Sequence, residues 1–172
     1  TGEFEYTKGV VMNQLILADE INRTSPKTQA SLLEAMAEDQ ITVDGKVYEL
    51  PKPFMVIATQ NPVEFLGTYP LPEAQMDRFM MRLTIGYPDK VQEVKMAMQY
   101  LEGKTPDTIK PVCTTEDILR IKETVSKVKI TEEVVSYVED IIELTRKEAR
   151  FLLGASPRAM LALVKAAQSK AF

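Results

Sequence analysis

Two apolar runs without polar alternation, Leu15-Ile16-Leu17-Ala18 and Phe54-Met55-Val56-Ile57-Ala58, organise the chain. Runs of this kind predict strands buried on both faces, the pattern of a parallel sheet covered by helices. Each run ends abruptly in polar residues, Asp19-Glu20-Ile21-Asn22-Arg23 after the first and Thr59-Gln60-Asn61-Pro62 after the second. Ligands of open α/β sheets bind outside the carboxyl ends of the strands. Asp19, Glu20 and Asn61 therefore mark a candidate site on one sheet edge. The plainer alternatives are a strand that stops at a solvated acidic turn and an Asn-Pro turn that serves only the chain path.

The other patterns fill in the elements around these two strands. Thr1 to Gly9 alternates polar and aromatic residues and reads as the second half of a hairpin, which predicts that the chain begins inside a larger protein. Thr24-Ser25-Pro26-Lys27 is a helix start, with Ser25 as cap and Pro26 at the first helical position. That helix is expected to reach about Asp39, with Gln29, Leu32, Leu33 and Met36 on one side. Ile41 to Leu50 forms two alternating runs around Asp44-Gly45, a strong hairpin signal, closed off by Pro51 and Pro53. A loop from Glu64 to Pro72 leads to a helix carrying Glu73 to Phe79, and Arg82 to Ile85 reads as a short further strand. Beyond it every pattern is helical: 90–102, 115–128, 131–150, and a helix capped by Ser156 with Pro157 and Arg158 in its first turn. The expected organisation is thus an α/β part over residues 1–88 and an all-α part over residues 89–172, with the last helix still showing its pattern at Phe172.

Composition narrows the chemistry. The 172 residues are 45% apolar and 27% charged with net charge -4, and basic and acidic residues are interspersed. That balance gives no electrostatic footprint for direct nucleic-acid binding. No window is long and apolar enough for a transmembrane segment, and a cytoplasmic protein is the expectation. The single Cys113 cannot form an internal disulfide. The absence of histidine removes Ser-His-Asp and Cys-His nucleophile activation, which leaves carboxylates, amides, Arg and Lys. Phosphate chemistry with magnesium suits such a set, because positioning and charge stabilisation do most of the work there. Gly103-Lys104-Thr105 resembles the end of a phosphate-binding loop, but Met98 stands where the first glycine is required, and Pro106 follows.

Four blocks carry a more specific signal: "LILADEINR", "SLLEAMAEDQITVDGKVYELPKPFMVIATQNP", "GTYPLPEAQMDRFMMR" and "GASPRA". In order and spacing they resemble the MoxR family of AAA+ ATPases over essentially the whole chain. The resemblance implies a partial AAA+ (P-loop NTPase) α/β parallel-sheet core followed by an all-α lid subdomain, with the Walker A loop upstream of Thr1 and the lid continuing past Phe172. It implies ATP and Mg2+ as cofactors. Residue by residue, it makes Asp19 the Walker B aspartate holding magnesium through water, Glu20 the base that polarises the attacking water, and Asn61 sensor 1. Arg78 corresponds to the arginine finger, Arg158 to sensor 2, and the hairpin at 41–50 to an insertion before sensor 1. Arg82 competes with Arg78 as finger, and Arg23 is a second candidate for a subunit interface. The resemblance further implies a ring oligomer, expected to be a hexamer, and a client protein remodelled in a chaperone-like way, with a von Willebrand A domain protein as a possible partner. A magnesium-chelatase-like motor subunit and a nucleotide-gated, non-hydrolysing scaffold are the rival functions. The 172-residue segment alone is expected not to hydrolyse ATP. One departure is visible, since Gly9-Val10-Val11-Met12 stands where the family usually has Gly-Pro and an aromatic residue.

Overall fold

In the computed structural model, which describes residues 9–61, 67–103 and 110–172, Leu15–Ala18 (β1) and Met55–Ala58 (β4) pair in parallel, Leu15 opposite Met55 and Ala18 opposite Ala58. The expected strand ahead of Gly9, part of the 64–72 loop and most of the Gly103-Lys104-Thr105 stretch lie outside the described residues. The two apolar runs thus run in the same direction and finish side by side. The expectation that they are buried on both faces is not met. Leu15 and Leu17 are 61% and 67% exposed, and Met55 and Ile57 on the same face are open too. Among the described residues β1 and β4 have only each other as ladder partners, and helices and loops cover one face alone.

Between them, Pro26–Glu38 (α1) begins where its signals place it: the Ser25 hydroxyl accepts from the Thr28 amide, and Pro26 occupies the first turn, where its missing N–H costs nothing. The apolar side of α1 makes the core of this region. Leu33 is buried with Ile21 and Leu71, and Leu32, Met36, Ala58, Met76 and Phe79 pack around them. Burial of each such aliphatic side chain contributes about 2 kcal/mol. After α1, Gln40–Val43 (β2) and Lys46–Glu49 (β3) form the antiparallel hairpin, with Asp44 and Gly45 both at positive φ, 49° and 76°, as a two-residue mirror-image turn requires. Leu50 closes the hairpin by donating its amide to Asp39 O at 2.9 Å.

The expected 73–79 helix is a single turn, Glu73–Met76 (α2). Its backbone continues through short turns at Arg78 and Phe79 rather than as helix. No strand forms over Arg82 to Ile85; Leu83 is 79% and Ile85 99% exposed, and no neighbouring strand among the described residues offers them a ladder. Without ladder hydrogen bonds, an alternating pattern does not hold a short stretch as a strand.

By compactness the chain divides into residues 1–80 with 115–172 and residues 81–114. The smaller unit holds Lys90–Leu101 (α3), begun by a capping box in which Asp89 Oδ1 accepts from the Gln92 amide at 2.8 Å. The larger unit ends in Thr115–Ser126 (α4), Glu132–Lys147 (α5) and Pro157–Ala171 (α6). Val138 and Ile142 are buried on α5, and Gln168 of α6 donates to Val128 O beyond α4 at 2.8 Å.

The turn into α6 explains each letter of Gly-Ala-Ser-Pro-Arg. A Cβ on Gly154 would stand 2.6 Å from Arg146 Cγ and 2.7 Å from Arg146 Cα, so only glycine lets the chain pass so close to α5. Ala155 is pinned there, its amide donating to Thr145 Oγ1 at 2.9 Å and its carbonyl accepting from Arg146 Nε at 3.0 Å. Ser156 then caps α6 through the Ala159 amide, and Pro157 begins the helix.

Candidate nucleotide-hydrolysis site

Because β1 and β4 are parallel neighbours, the residues after each strand share one edge, and hydrogen bonds tie the two ends together. Thr59 donates its amide to Ala18 O at 3.0 Å and accepts from the Ile21 amide at 3.0 Å. Its hydroxyl accepts from the Glu20 amide at 2.8 Å and donates to Asp19 Oδ1 at 2.5 Å. Asp19 is exposed, and its second oxygen remains for a ligand. Glu20 sits in the left-handed region, φ 49° and ψ 49°, sparsely populated by residues other than glycine. Its carboxylate meets Arg23 Nη1 at 3.1 Å, an exposed pair worth at most about 1 kcal/mol.

Asn61 joins this edge through Asn22. The Asn22 amide Nδ2 donates to Asn61 O at 3.3 Å, while Asn22 O accepts from the Tyr69 amide at 2.6 Å. Asn22 is only 7% exposed, and its Oδ1 is a buried acceptor with no partner among the described residues. Behind the turn, Gln29 is 2% exposed and spans three carbonyls with one nitrogen: Nε2 lies 3.2 Å from Ile21 O, 3.4 Å from Thr24 O and 2.9 Å from Tyr69 O. The first turn after β1 and the chain near Tyr69 are thereby held to α1.

The arginines stand elsewhere. Arg78 does not pair with Asp77 or Glu73; its Nη1 donates to Leu33 O at 3.3 Å, beside an open cavity of about 280 Å³ lined by Ala30, Glu34, Glu38 and Gln75. Arg82 lies in an exposed stretch without regular structure in the smaller unit, and no helix joins it to Arg78. Arg158 has an anionic partner within the fold, as its unfavourable place near a helix N-terminus suggests. That partner is Asp77, whose Oδ2 is 3.3 Å from Arg158 Nη1 and whose Oδ1 accepts from Ser156 Oγ at 2.6 Å.

The side-chain donors gathered at the edge of β1 and β4 are oxygens, the adjacent carboxylates of Asp19 and Glu20 and the Thr59 hydroxyl, with Asn61 tied in through its backbone carbonyl. No group of three or more His, Cys, Asp or Glu comes together among the described residues. Magnesium fits such a place, since it keeps several waters and is held by one or two carboxylates together with substrate phosphates. Thr59, Gln29 and Asp77 escape a sequence-only reading. Thr59 and Asp77 act on residues 39 to 81 positions away, and Gln29 looks like any polar residue on a helix. The only trace in the sequence is a hydroxyl residue immediately after an apolar run.

The profile of the ATPase family associated with various cellular activities (AAA) matches residues 1–81. YeaC of Bacillus subtilis, an uncharacterised protein, is 47% identical over 99% of this chain, and the chaperone MoxR1 of Mycobacterium tuberculosis is 40% identical over 98% of it. The chain belongs to the MoxR family of AAA+ ATPases. A crystal structure of a putative ATPase from Cytophaga hutchinsonii, 40% identical, superposes over 99% of the chain with a TM-score of 0.85. This MoxR-family chain spans about half the length of these relatives: 53% of YeaC, 47% of MoxR1 and 54% of the Cytophaga chain. The fold is accordingly a partial AAA+ α/β core with a helical part, as the four sequence blocks imply. No described helix is long and apolar enough to cross a membrane.

Proposed function

We propose that the full-length protein hydrolyses ATP with magnesium at the Asp19-Glu20 turn and couples hydrolysis to chaperone-like remodelling of a client protein. The observation that carries this reading is the Thr59 link, which gathers Asp19 and Glu20 at the carboxyl edge of two parallel strands. Family membership and the printed name of MoxR1 support the chaperone-like part.

Asp19 holds the metal through water, and Asn61 offers an amide that contacts a lytic water or γ-phosphate without adding negative charge. Bound magnesium supplies neutralisation of charge on the phosphates. Glu20 accepts the proton of the attacking water, which requires its carboxylate to leave Arg23. Arg78 reaches the nucleotide of the next subunit in a ring, expected to be a hexamer, with Arg23 and Arg82 as further interface candidates. Arg158 reports nucleotide state to the helical lid over residues 89–172 and must exchange Asp77 for phosphate to do so. A von Willebrand A domain protein is the partner we expect beside the client, in the cytoplasm.

The Glu20–Arg23 pair favours one competitor, a scaffold that binds ATP and hardly turns over because its base stays engaged. A magnesium-chelatase-like motor would share the core chemistry, but the MoxR relatives weigh against it. Glu20→Gln in the full-length protein separates motor from scaffold. Loss of turnover by about 100-fold or more, with ATP binding retained, is expected of a general base; unchanged turnover would refute the role of Glu20.

A further inference from the structure

We propose that Thr59 is a positioning residue for the hydrolytic turn: its hydroxyl sets the direction of the Glu20 carboxylate by fixing the Glu20 backbone against Asp19. This rests on the reading of Asp19 and Glu20 as the hydrolytic pair. Thr59 uses all of its hydrogen-bonding groups on one turn. Its amide and carbonyl continue the β1–β4 ladder to Ala18 and Ile21, as any residue at that place could. Its hydroxyl does what few side chains can, accepting from the Glu20 amide at 2.8 Å and donating to Asp19 Oδ1 at 2.5 Å with one oxygen.

Glu20 is the residue that most needs such a hold. It takes a left-handed conformation that costs free energy for a residue with a Cβ and persists only where surrounding contacts over-determine it. Among the described residues the Glu20 carboxylate is paired with Arg23 alone, an exposed contact, so the backbone rather than the carboxylate carries the constraint. Asp19 gains as well: with Oδ1 taken by the hydroxyl, its rotamer is fixed and Oδ2 is presented to a ligand. A β-branched residue suits the place because its χ1 is stiff, which aims the hydroxyl without a side-chain entropy cost comparable to that of a longer polar residue. The alternative is a threonine that merely ends a strand, for which valine would serve equally.

Thr59→Val, Thr59→Ala and Thr59→Ser in the full-length protein decide between these, with Glu20→Gln measured alongside. In the nucleotide-free protein, amide hydrogen exchange at Glu20 should become about fivefold or more faster in T59V and T59A, while the amide of Met55, which donates to Gln14 O in the same ladder, stays protected. T59S, which keeps the oxygen, should exchange like the parent. In ATP turnover, T59V and T59A should lose at least about tenfold in kcat with KM changed by less than about threefold, and T59S should restore most of it. If T59V does not fold, T59A carries the same comparison. Unchanged Glu20 exchange, or equal loss in the serine and valine variants, would overturn the positioning role while E20Q still loses turnover. If E20Q itself keeps full turnover, the hydrolytic reading falls and the proposal falls with it.

Discussion

Asp77 and Arg158, 81 residues apart in the chain, meet at 3.3 Å, and the same carboxylate accepts from Ser156, the cap of the helix that carries Arg158. One acid thus holds both the start of α6 and its first-turn arginine. The pair itself is more than half exposed on the arginine side and is worth about 0–1 kcal/mol, whereas the partly buried Ser156 bond to a charged acceptor is worth about 1.5 kcal/mol or more. Asp77→Ala should therefore destabilise the fold by about 1–2 kcal/mol in urea unfolding. Asp77→Asn, which keeps an acceptor for Ser156, should cost less. Equal losses in the two variants would show that charge, not the Ser156 bond, is what matters.

The arginine-finger assignment divides two candidates that the fold holds in different surroundings. Arg78 follows directly on Asp77 and touches Leu33 O, while Arg82 lies in an exposed stretch without regular structure. Arg78→Ala in the full-length protein is expected to lower kcat by about 1,000-fold, in the range of other arginine fingers, with Arg82→Ala affecting turnover far less. The reverse order of effects would transfer the role to Arg82.

Gln29 offers a stability test close to the site but outside its chemistry. Replacing it by Leu leaves the carbonyls of Ile21, Thr24 and Tyr69 without this buried donor. We expect Gln29→Leu to cost about 2 kcal/mol, from the carbonyls of Thr24 and Tyr69, since Ile21 O keeps the Thr24 amide and hydroxyl. A loss below about 0.5 kcal/mol would mean that water replaces the amide there.

Gly154 should tolerate nothing larger. The added methyl of Gly154→Ala would press on the Arg146 backbone as well as its side chain, so α5 or the turn must shift. An overpacking cost of about 1–3 kcal/mol is expected, read as a lowered melting temperature. An unchanged melt would show that the turn yields freely.

Acid titration should register the Glu143–Lys147 pair on α5. The Lys147 ammonium, hydrogen-bonded at 2.7 Å, holds the Glu143 carboxyl below its ordinary 4.5, and Glu143 in turn raises Lys147 above 10.5. A lowered carboxyl contributes stability that is present above the unfolded-state value and disappears as pH falls through the folded-state value. Lys147, with its raised value, contributes below 10.5 and loses that contribution as pH rises further. Glu143→Gln should thus be slightly less stable than the parent at pH 7, and the two should converge as pH falls below the ordinary carboxyl range. A gap that persists in acid would assign the difference to packing instead.

What could be read from the chain alone was whatever depends on neighbours a few residues away. The Ser25-Pro26 start of α1, the Asp44-Gly45 turn and the Ser156-Pro157 start of α6 are set by local backbone chemistry, and each appears where the residues place it. The parallel direction of β1 and β4, and so the common edge after the two strands, agrees with the reading of two unbroken apolar runs, although the burial on both faces on which that reading rests is not met. The four sequence blocks carried the family for the same reason: they are contiguous.

Tertiary structure decided what depends on partners far away in sequence. Arg82 to Ile85 has the alternation of a strand but finds no ladder among the described residues, and β1 keeps an exposed face because apolar residues are buried only where another element covers them. Thr59 gains its place from a turn 39 residues earlier, and Arg158 gains its anion from Asp77 rather than from its own helix. A propensity or a cap needs only the adjacent backbone; a hydrogen bond between distant residues exists only once packing has brought donor and acceptor within 3 Å or so of each other.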